Sequence, residues 1–298
     1  MNGMLLIDKP QNFTSFDVVA IVRGLYHTKK AGHTGTLDPM ATGVLPVLLG
    51  KATRAIPFLE DTDKSYLAQF QLGLETDTQD STGTVLAQRP AHVTQAQLQA
   101  ILPQFTGQIL QTPPMYSAVR QNGQRLYALA RQGITVERSK RPVTIYDCTL
   151  QSFDEATQTG TLAVTCSKGT YIRTLCHDIG RQLSTGAIMT NLRRTAACGF
   201  SIEQAVPLET LRQQTQNLSA HLIPVDTIFQ AKPALHISAA QATRFANGGA
   251  LSLERLRLSA DAQRQDNTIY RVYDATDIFL GLGVISVPQS ALCVAKLF

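Results

Sequence analysis

The apolar positions of this chain change period several times, and each change marks an element. The short run LLIDKP predicts a strand that ends at Pro10, which cannot donate to a sheet ladder. Thr14-Ser15-Phe16-Asp17 then has capping-box spacing, and Val18, Val19, Ile21, Val22 and Leu25 make one apolar face, predicting a helix to about Tyr26. A loop rich in Gly and Thr runs from Gly32 to Gly43 into the apolar VLPVLLG. Alternation over residues 65–73, SYLAQFQLG, predicts a strand, and ETDTQDSTG after it reads as a polar turn. Thr94 opens a short helix, TQAQLQAIL, stopped by Pro103. VTIYDCTLQSF and GTLAVTCSKG read as two strands joined by DEATQT, and TYIRTLCHDIGRQL sets Ile172, Leu175, Cys176, Ile179 and Leu183 at helical spacing, ending near Gly186.

Two stretches differ in kind. QTPPMYSAVRQNGQRLYALARQG has paired prolines, an Asn122-Gly123 turn and basic residues alternating with Tyr116 and Tyr127. It reads as an irregular, mobile excursion with a short helix near its end. After Pro224 come short β-rich pieces, TIYRVYD, IFLGLGVIS and LCVAKLF, each broken by Gly, Asp or Asn. A small, mostly β domain of about seventy residues is the expected reading. No internal repeat or low-complexity segment stands out.

The 298 residues suffice for two domains, and 44% apolar content supplies a core. No run of eighteen apolar residues occurs, and Asp8 interrupts the N-terminus before any signal-peptide core forms, so a cytoplasmic protein without a membrane span is expected. The net charge of +5 leans toward an anionic partner, and its distribution sharpens that lean. Arg120, Arg125, Arg131, Arg138, Lys140 and Arg141 stand against the single acid Glu137, while Lys29 and Lys30 lie near His27. Such local surplus suits phosphate contacts, although a solvated helix face produces the same count. The five cysteines are widely spaced and the six histidines unclustered, so reduced thiols and no metal site are expected.

Familiar nucleotide and hydrolase signatures are absent. Gly50-Lys51 is followed by Ala52 and lacks the upstream Gly of a phosphate loop, Gly281 and Gly283 are followed by Ser286 rather than a third Gly, and no G-x-S-x-G occurs. Kinase, dehydrogenase and serine-hydrolase readings therefore have no support.

Asp38 lies between Leu37 and Pro39 in the segment GHTGTLDPMATG. Pro39 restricts Asp38 to extended conformations, and Gly32, Gly35 and Gly43 permit a loop to approach a ligand closely. By itself such an aspartate is ordinarily a turn residue accepting from nearby N–H groups. The segment GHTGTLDPMATGVLP, however, resembles the signature loop of the TruB family, the bacterial-type tRNA pseudouridine-55 synthases. Further matches stand in the same order: LLIDKP and TSFDVV, DTDKSYLAQFQLGLETDTQDSTG, PPMYSAVRQNGQRLYALARQG, CSKGTYIRTLCHDIG and NLRRTA. Together they span most of residues 4 to 195.

The resemblance implies an α+β fold: a mixed, largely antiparallel sheet forming the catalytic domain over 1–229, then a small PUA-like RNA-binding β domain over 230–298. It implies an insertion, about 114–142, that closes over RNA, with Arg120, Arg125 and Arg131 among its phosphate contacts; Lys29 and Lys30, beside His33, also suit RNA phosphates, although a plain exposed basic turn reads the same. Asp38 corresponds to the catalytic nucleophile and Tyr66 to the tyrosine that stacks on the target base. Tyr171 and Arg173 correspond to the active-site Tyr-x-Arg pair, His33 to the histidine that fills the gap left by a flipped base, and Leu192 to the apolar edge of the uracil pocket. One departure is Asn12, where the family usually has Gly; Asn tolerates the left-handed conformation, so the turn is expected to survive.

The implied reaction breaks the N1–C1′ bond of uridine 55 in the tRNA T loop, turns the uracil and rejoins it through C5, with no redox change and no cofactor. A carboxylate serves by adding to ribose C1′ or uracil C6, or by removing a ribose proton. Arg173 would pair with Asp38, and its place in the first helical turn, where the dipole disfavours a cation, points to a tertiary partner. Extruding the base costs on the order of a few kcal/mol, which His33 would offset. The implied partner is the T stem-loop of tRNA, with no obligate protein partner and a monomeric chain. The rival readings are a catalytically idle tRNA-binding or folding protein on the same scaffold, and a hydrolase that would release free uracil.

Overall fold

The computed structural model describes residues 1–59, 62–214, 217–263 and 265–298. Strand β1 (Gly3–Lys9) is buried along nearly its whole length and leads into helix α1 (Ser15–Leu25). The expected capping box is present: Asp17 N–H donates to Thr14 Oγ1 at 3.0 Å, and Thr14 N–H donates to the Asp17 carboxylate at 2.8 Å. Strands β2 (Ala31–His33), β3 (Thr42–Leu49) and β4 (Lys64–Leu72) follow, then helix α2 (Gln95–Ile101) and strand β5 (Gly107–Gln111). The excursion carries a short hairpin, Arg120–Gln121 against Gln124–Arg125, and helix α3 (Leu126–Ala130). Strands β6 (Arg141–Asp154) and β7 (Thr159–Cys166), helix α4 (Ile172–Gln182) and strand β8 (Ala187–Ala197) complete the main unit.

These strands form a mixed sheet in the order β1-β3-β8-β4-β7-β6-β5, with Val206–Pro207 on the outer edge of β1 and β2 pairing with β3. Every pairing is antiparallel except Val206–Pro207 with β1 and β3 with β8. The expected mixed, largely antiparallel α+β architecture therefore stands. Several features differ from the sequence reading, two of them at the centre of the sheet. The loop predicted from Gly32 to Gly43 is shorter at both ends, because Ala31–His33 pairs with Val47–Leu49 and Thr42 already belongs to β3. The central strand β8 escapes the pattern, since its Asn, Thr and two Arg residues hide the alternation that burial imposes.

The seam between β3 and β8 organises the molecule. Only Arg193↔Thr42 and Arg194↔Gly43 are paired there. Gly43 has φ of +105°, and a Cβ at this position would lie within 2.1 Å of the Arg194 carbonyl oxygen, so only glycine fits. On one side of the seam α1 packs Val18, Val19 and Val22 on Leu5, Ile7 and Val47. On the other, α4 packs Leu175, Cys176 and Ile179 in one cluster with Phe70 and Met189. A separate five-stranded sheet follows from Ala234, built from Ala234–His236, Leu251–Ser252, Ile269–Tyr273, Phe279–Ser286 and Ala291–Leu297. The three β-rich pieces form strands as predicted, whereas the helix Ala239–Ala246, capped by Ser238, was not anticipated.

Candidate active site

The segment between β2 and β3 holds Asp38 above the seam, and three buried side chains from other elements, with one exposed turn amide, fix its backbone. Arg194, fully buried on β8, donates from Nη2 to the Gly35 carbonyl (3.2 Å), from Nη1 to Thr36 (3.4 Å) and from Nε to Val44 (2.6 Å). The Ser15 hydroxyl accepts from Leu37 N–H at 2.8 Å and donates to the Leu37 carbonyl at 3.1 Å. Lys9, also fully buried, donates to the carbonyls of Pro10, Phe13 and Pro39 at 2.9, 2.7 and 3.3 Å. Finally, Asn12 N–H donates to the Pro39 carbonyl at 2.8 Å. Asn12 has φ of +65°, so it takes the left-handed turn expected of it. Two buried cations thus face carbonyl oxygens, which satisfies their donors without consuming the carboxylate between them.

Asp38 keeps 37% of its side chain exposed while its Oδ2 meets Arg173 Nε at 3.1 Å. Arg173 is almost wholly buried, and its remaining donors are also engaged. Nη1 donates to the Thr78 carbonyl (3.1 Å) and the Asp80 carboxylate (3.3 Å), and Nη2 to the Tyr116 carbonyl (2.8 Å). Asp80, only 3% exposed, accepts in turn from the hydroxyls of Thr78 and Thr82 and from Thr82 N–H, at 2.7, 2.6 and 3.0 Å. A cation in the first turn of a helix is unfavourable against the dipole, and these four acceptors offset that cost. Burial pushes the Asp38 carboxyl above its ordinary range; Arg173 and Lys9 pull it down, and Asp80 pushes it up. Burial also lowers the Lys9 ammonium to about 8, against the opposing pull of Asp38.

The floor beside Asp38 is apolar, with Leu37, Met40, Tyr66 and Leu192 in one cluster. Tyr66 lies on β4 opposite Arg194 and Leu192 lies on β8 opposite Ala68. Burial raises the Tyr66 hydroxyl to about 12, against the pull of Arg194. Tyr171 immediately precedes α4, and the buried Gln111 side-chain amide clamps its backbone, accepting from Tyr171 N–H at 3.0 Å and donating to its carbonyl at 3.2 Å. His33 sits half-buried on β2 with Nδ1 buried, and burial together with Arg194 depresses its pKa, keeping the ring neutral at pH 7.

Profiles described as the TruB family pseudouridylate synthase N-terminal domain, the tRNA pseudouridylate synthase B C-terminal domain and the TruB C-terminal domain match residues 23–172, 173–230 and 233–288. A tRNA pseudouridine synthase B from Burkholderia mallei (strain NCTC 10247) is 45% identical over 283 residues, covering 95% of this chain and 92% of the relative. The chain belongs to the TruB family. A synthase B from Haemophilus influenzae (strain PittEE) is 42% identical over 290 residues, covering 96% of this chain and 92% of its own. A solved Cbf5–Nop10–Gar1 complex contains a chain of similar fold, with a TM-score of 0.71 at 25% identity over 99% of this chain and 84% of that one.

Within this TruB-family fold, the residues singled out from sequence separate into two groups. Asp38 and Arg173 are in direct contact; Tyr66 and Leu192 share the apolar floor, and His33 lies on the strand that leads into the Asp38 loop. Lys29, Lys30, Arg120, Arg125 and Arg131 are exposed and peripheral. Arg125 and Arg131 both lie against the Tyr127 ring, with guanidinium carbons 5.8 and 5.5 Å from its centroid. Sequence reasoning passed over Asp80, Lys9, Arg194, Ser15 and Gln111. Asp80 looks like a turn residue in ETDTQDSTG, and Lys9 and Arg194 look like solvated cations, because burial leaves no local mark on polar residues. Among the described residues no cluster of His, Cys, Asp or Glu has the makings of a metal site, and no helix is long and apolar enough to cross a membrane.

Proposed function

We propose that this chain isomerises a uridine of tRNA to pseudouridine, the substrate being uridine 55 displayed in the T stem-loop. The observation that carries the reading is the Asp38–Arg173 pair: a buried guanidinium with every donor group assigned presents a carboxylate that stays open to a ligand. Asp38 is the catalytic carboxylate and Arg173 aims it and balances its charge. Tyr66 stacks on the flipped uracil, Tyr171 and Leu192 bound its pocket, and His33, uncharged, occupies the place the base vacates. The bond from C1′ passes from N1 to C5; N1 gains a proton and C5 loses one, so no cofactor is required.

The exposed arginines Arg120, Arg125 and Arg131 of the insertion, with Lys29 and Lys30, grip phosphates and read RNA by shape. Residues 1–229 form the catalytic domain and 230–298 a PUA-like module that contacts the same RNA. The protein works in the cytoplasm as a monomer.

An unmodified tRNA transcript carrying tritium at uridine C5 tests the reading. Wild-type protein is expected to release tritium to water without freeing uracil. Asp38→Asn is expected to bind the RNA yet release none, and full activity in that variant overturns the assignment.

A further inference from the structure

A cavity of about 580 Å³ opens at the root of the insertion, and Asp38 is not among the residues that line it. One wall is the outward face of α4, where Thr174, His177, Asp178 and Arg181 recur at helical spacing. The opposite wall is the two limbs of the insertion: Thr112 as it leaves the body, Arg138 and Lys140 as it returns. Arg138 ties these limbs together by donating from Nη1 to the Pro113 carbonyl at 3.1 Å. Two of its lining residues are chain neighbours of the catalytic framework: Thr174 follows Arg173 and Gln79 precedes Asp80, and the Thr174 hydroxyl donates to the Gln79 amide oxygen at 2.8 Å.

Its chemistry is that of an anion site. Three permanent cations, Arg138, Lys140 and Arg181, face one carboxylate, Asp178. Lys140 and Arg181 are exposed, and among the described residues neither takes part in an ion pair. Arg138 Nε and His177 Nδ1, one in each wall, are buried without a hydrogen-bond partner among the described residues. Phe105 and Leu110 supply an apolar side. The volume is that of a small-ligand site and is large enough for a nucleotide, with cations to meet a phosphate and an apolar side to meet a nucleoside.

We infer that this cleft binds a phosphodiester and adjoining nucleoside of the substrate RNA, on the strand that passes beneath the insertion after leaving the Asp38 site. The inference rests on the proposed RNA substrate. A free phosphate shares the chemistry, but the cleft adjoins the Asp38–Arg173–Asp80 framework and lies between α4 and the root of an arginine-rich insertion, which favours the RNA strand.

The test uses the full chain with Lys140 and Arg181 changed, since Arg138 also holds the fold. Binding of unmodified tRNA transcript is measured across a potassium chloride series. In Lys140→Gln/Arg181→Gln the Kd is expected to rise about tenfold, and the slope of log affinity against log salt to fall by roughly one to two. Lys140→Arg/Arg181→Lys is expected to restore both, and circular dichroism melts show that the variants are folded. Unchanged affinity and slope in the neutral variant overturn the inference. So does a result in which millimolar inorganic phosphate raises the melting temperature of wild type, but not of the neutral variant, while RNA binding is the same in both; that would be a free-anion site. Should Lys140→Gln/Arg181→Gln misfold, Lys140→Gln alone, at an exposed position, is read by the same slope. Wild type that binds RNA with this slope but releases no tritium would defeat the proposed reaction and leave the cleft standing.

Discussion

Asp38 shows how a site holds a charge at an energetic disadvantage. Burial raises its pKa above the usual 3.8, and the partial pull of Arg173 does not cancel that effect. From 3.8 up to the raised value the folded chain therefore binds more protons than the unfolded chain. The stability linked to this group is complete below pH 3.8, falls as pH rises through that window and stays lost at pH 7. Asparagine cannot ionise, so Asp38→Asn is expected to be more stable than wild type at pH 7, the difference shrinking as pH falls toward 3.8. Urea unfolding at the two pH values measures it, and a less stable variant at pH 7 would mean that pairing with Arg173 outweighs burial. At this scale Asp38 and Arg173 were legible, the first through its Gly- and Thr-rich loop and the family motif, the second through its awkward place in a first helical turn. Asp80 was not, since a turn aspartate and a buried counter-ion look alike until the chain folds.

Among elements, the Asp38 loop is the one whose shape matters most, and it borrows its rigidity. Its backbone is held by β1 through Lys9, by α1 through Ser15, by β8 through Arg194, and by the turn at Asn12. That turn needs a positive φ. Asn12→Gly is expected to change stability by less than about 1 kcal/mol, whereas Asn12→Val should cost about 1–2 kcal/mol. Denaturant titration reads both, and equal stability of the two variants would show that the turn relaxes to another shape. Capping chemistry made α1 and α2 legible, because a cap is local: Thr14 with Asp17, and Thr94 with Gln97. Strand β8 was illegible for the opposite reason. Its arginines are satisfied by acceptors distant in sequence: Arg194 by carbonyls of β3 and the loop before it, Arg193 by the Asp8 carboxylate and the Thr42 hydroxyl.

On the scale of the whole molecule, the main sheet and the C-terminal sheet share an apolar junction. Phe229 is its centre, buried in one cluster with Met4, Leu6 and Leu48 from the main sheet and Leu282 from the C-terminal one. Its ring lies 6.4 Å from that of Phe279 and 5.8 Å from that of Phe298. Phe229→Ala is expected to cost about 3–5 kcal/mol and to split unfolding into two transitions as the modules uncouple. Calorimetry of the full chain reads this, and a single transition at an unchanged temperature would remove the junction from the account.

The sequence alone determined which segments become helix and strand where caps, periods and prolines act locally, and its ordered motifs, through their resemblance to the TruB family, pointed to Asp38, Tyr66, Tyr171 and Arg173. Only the tertiary structure decided which charged residues are buried, how Arg173 divides its donors between Asp38 and Asp80, and that the loop rests on Lys9, Ser15 and Arg194. The physical reason is distance along the chain. A hydrogen bond within a turn leaves a pattern of a few residues, whereas the fate of a buried ion is set by acceptors brought to it from elsewhere in the fold.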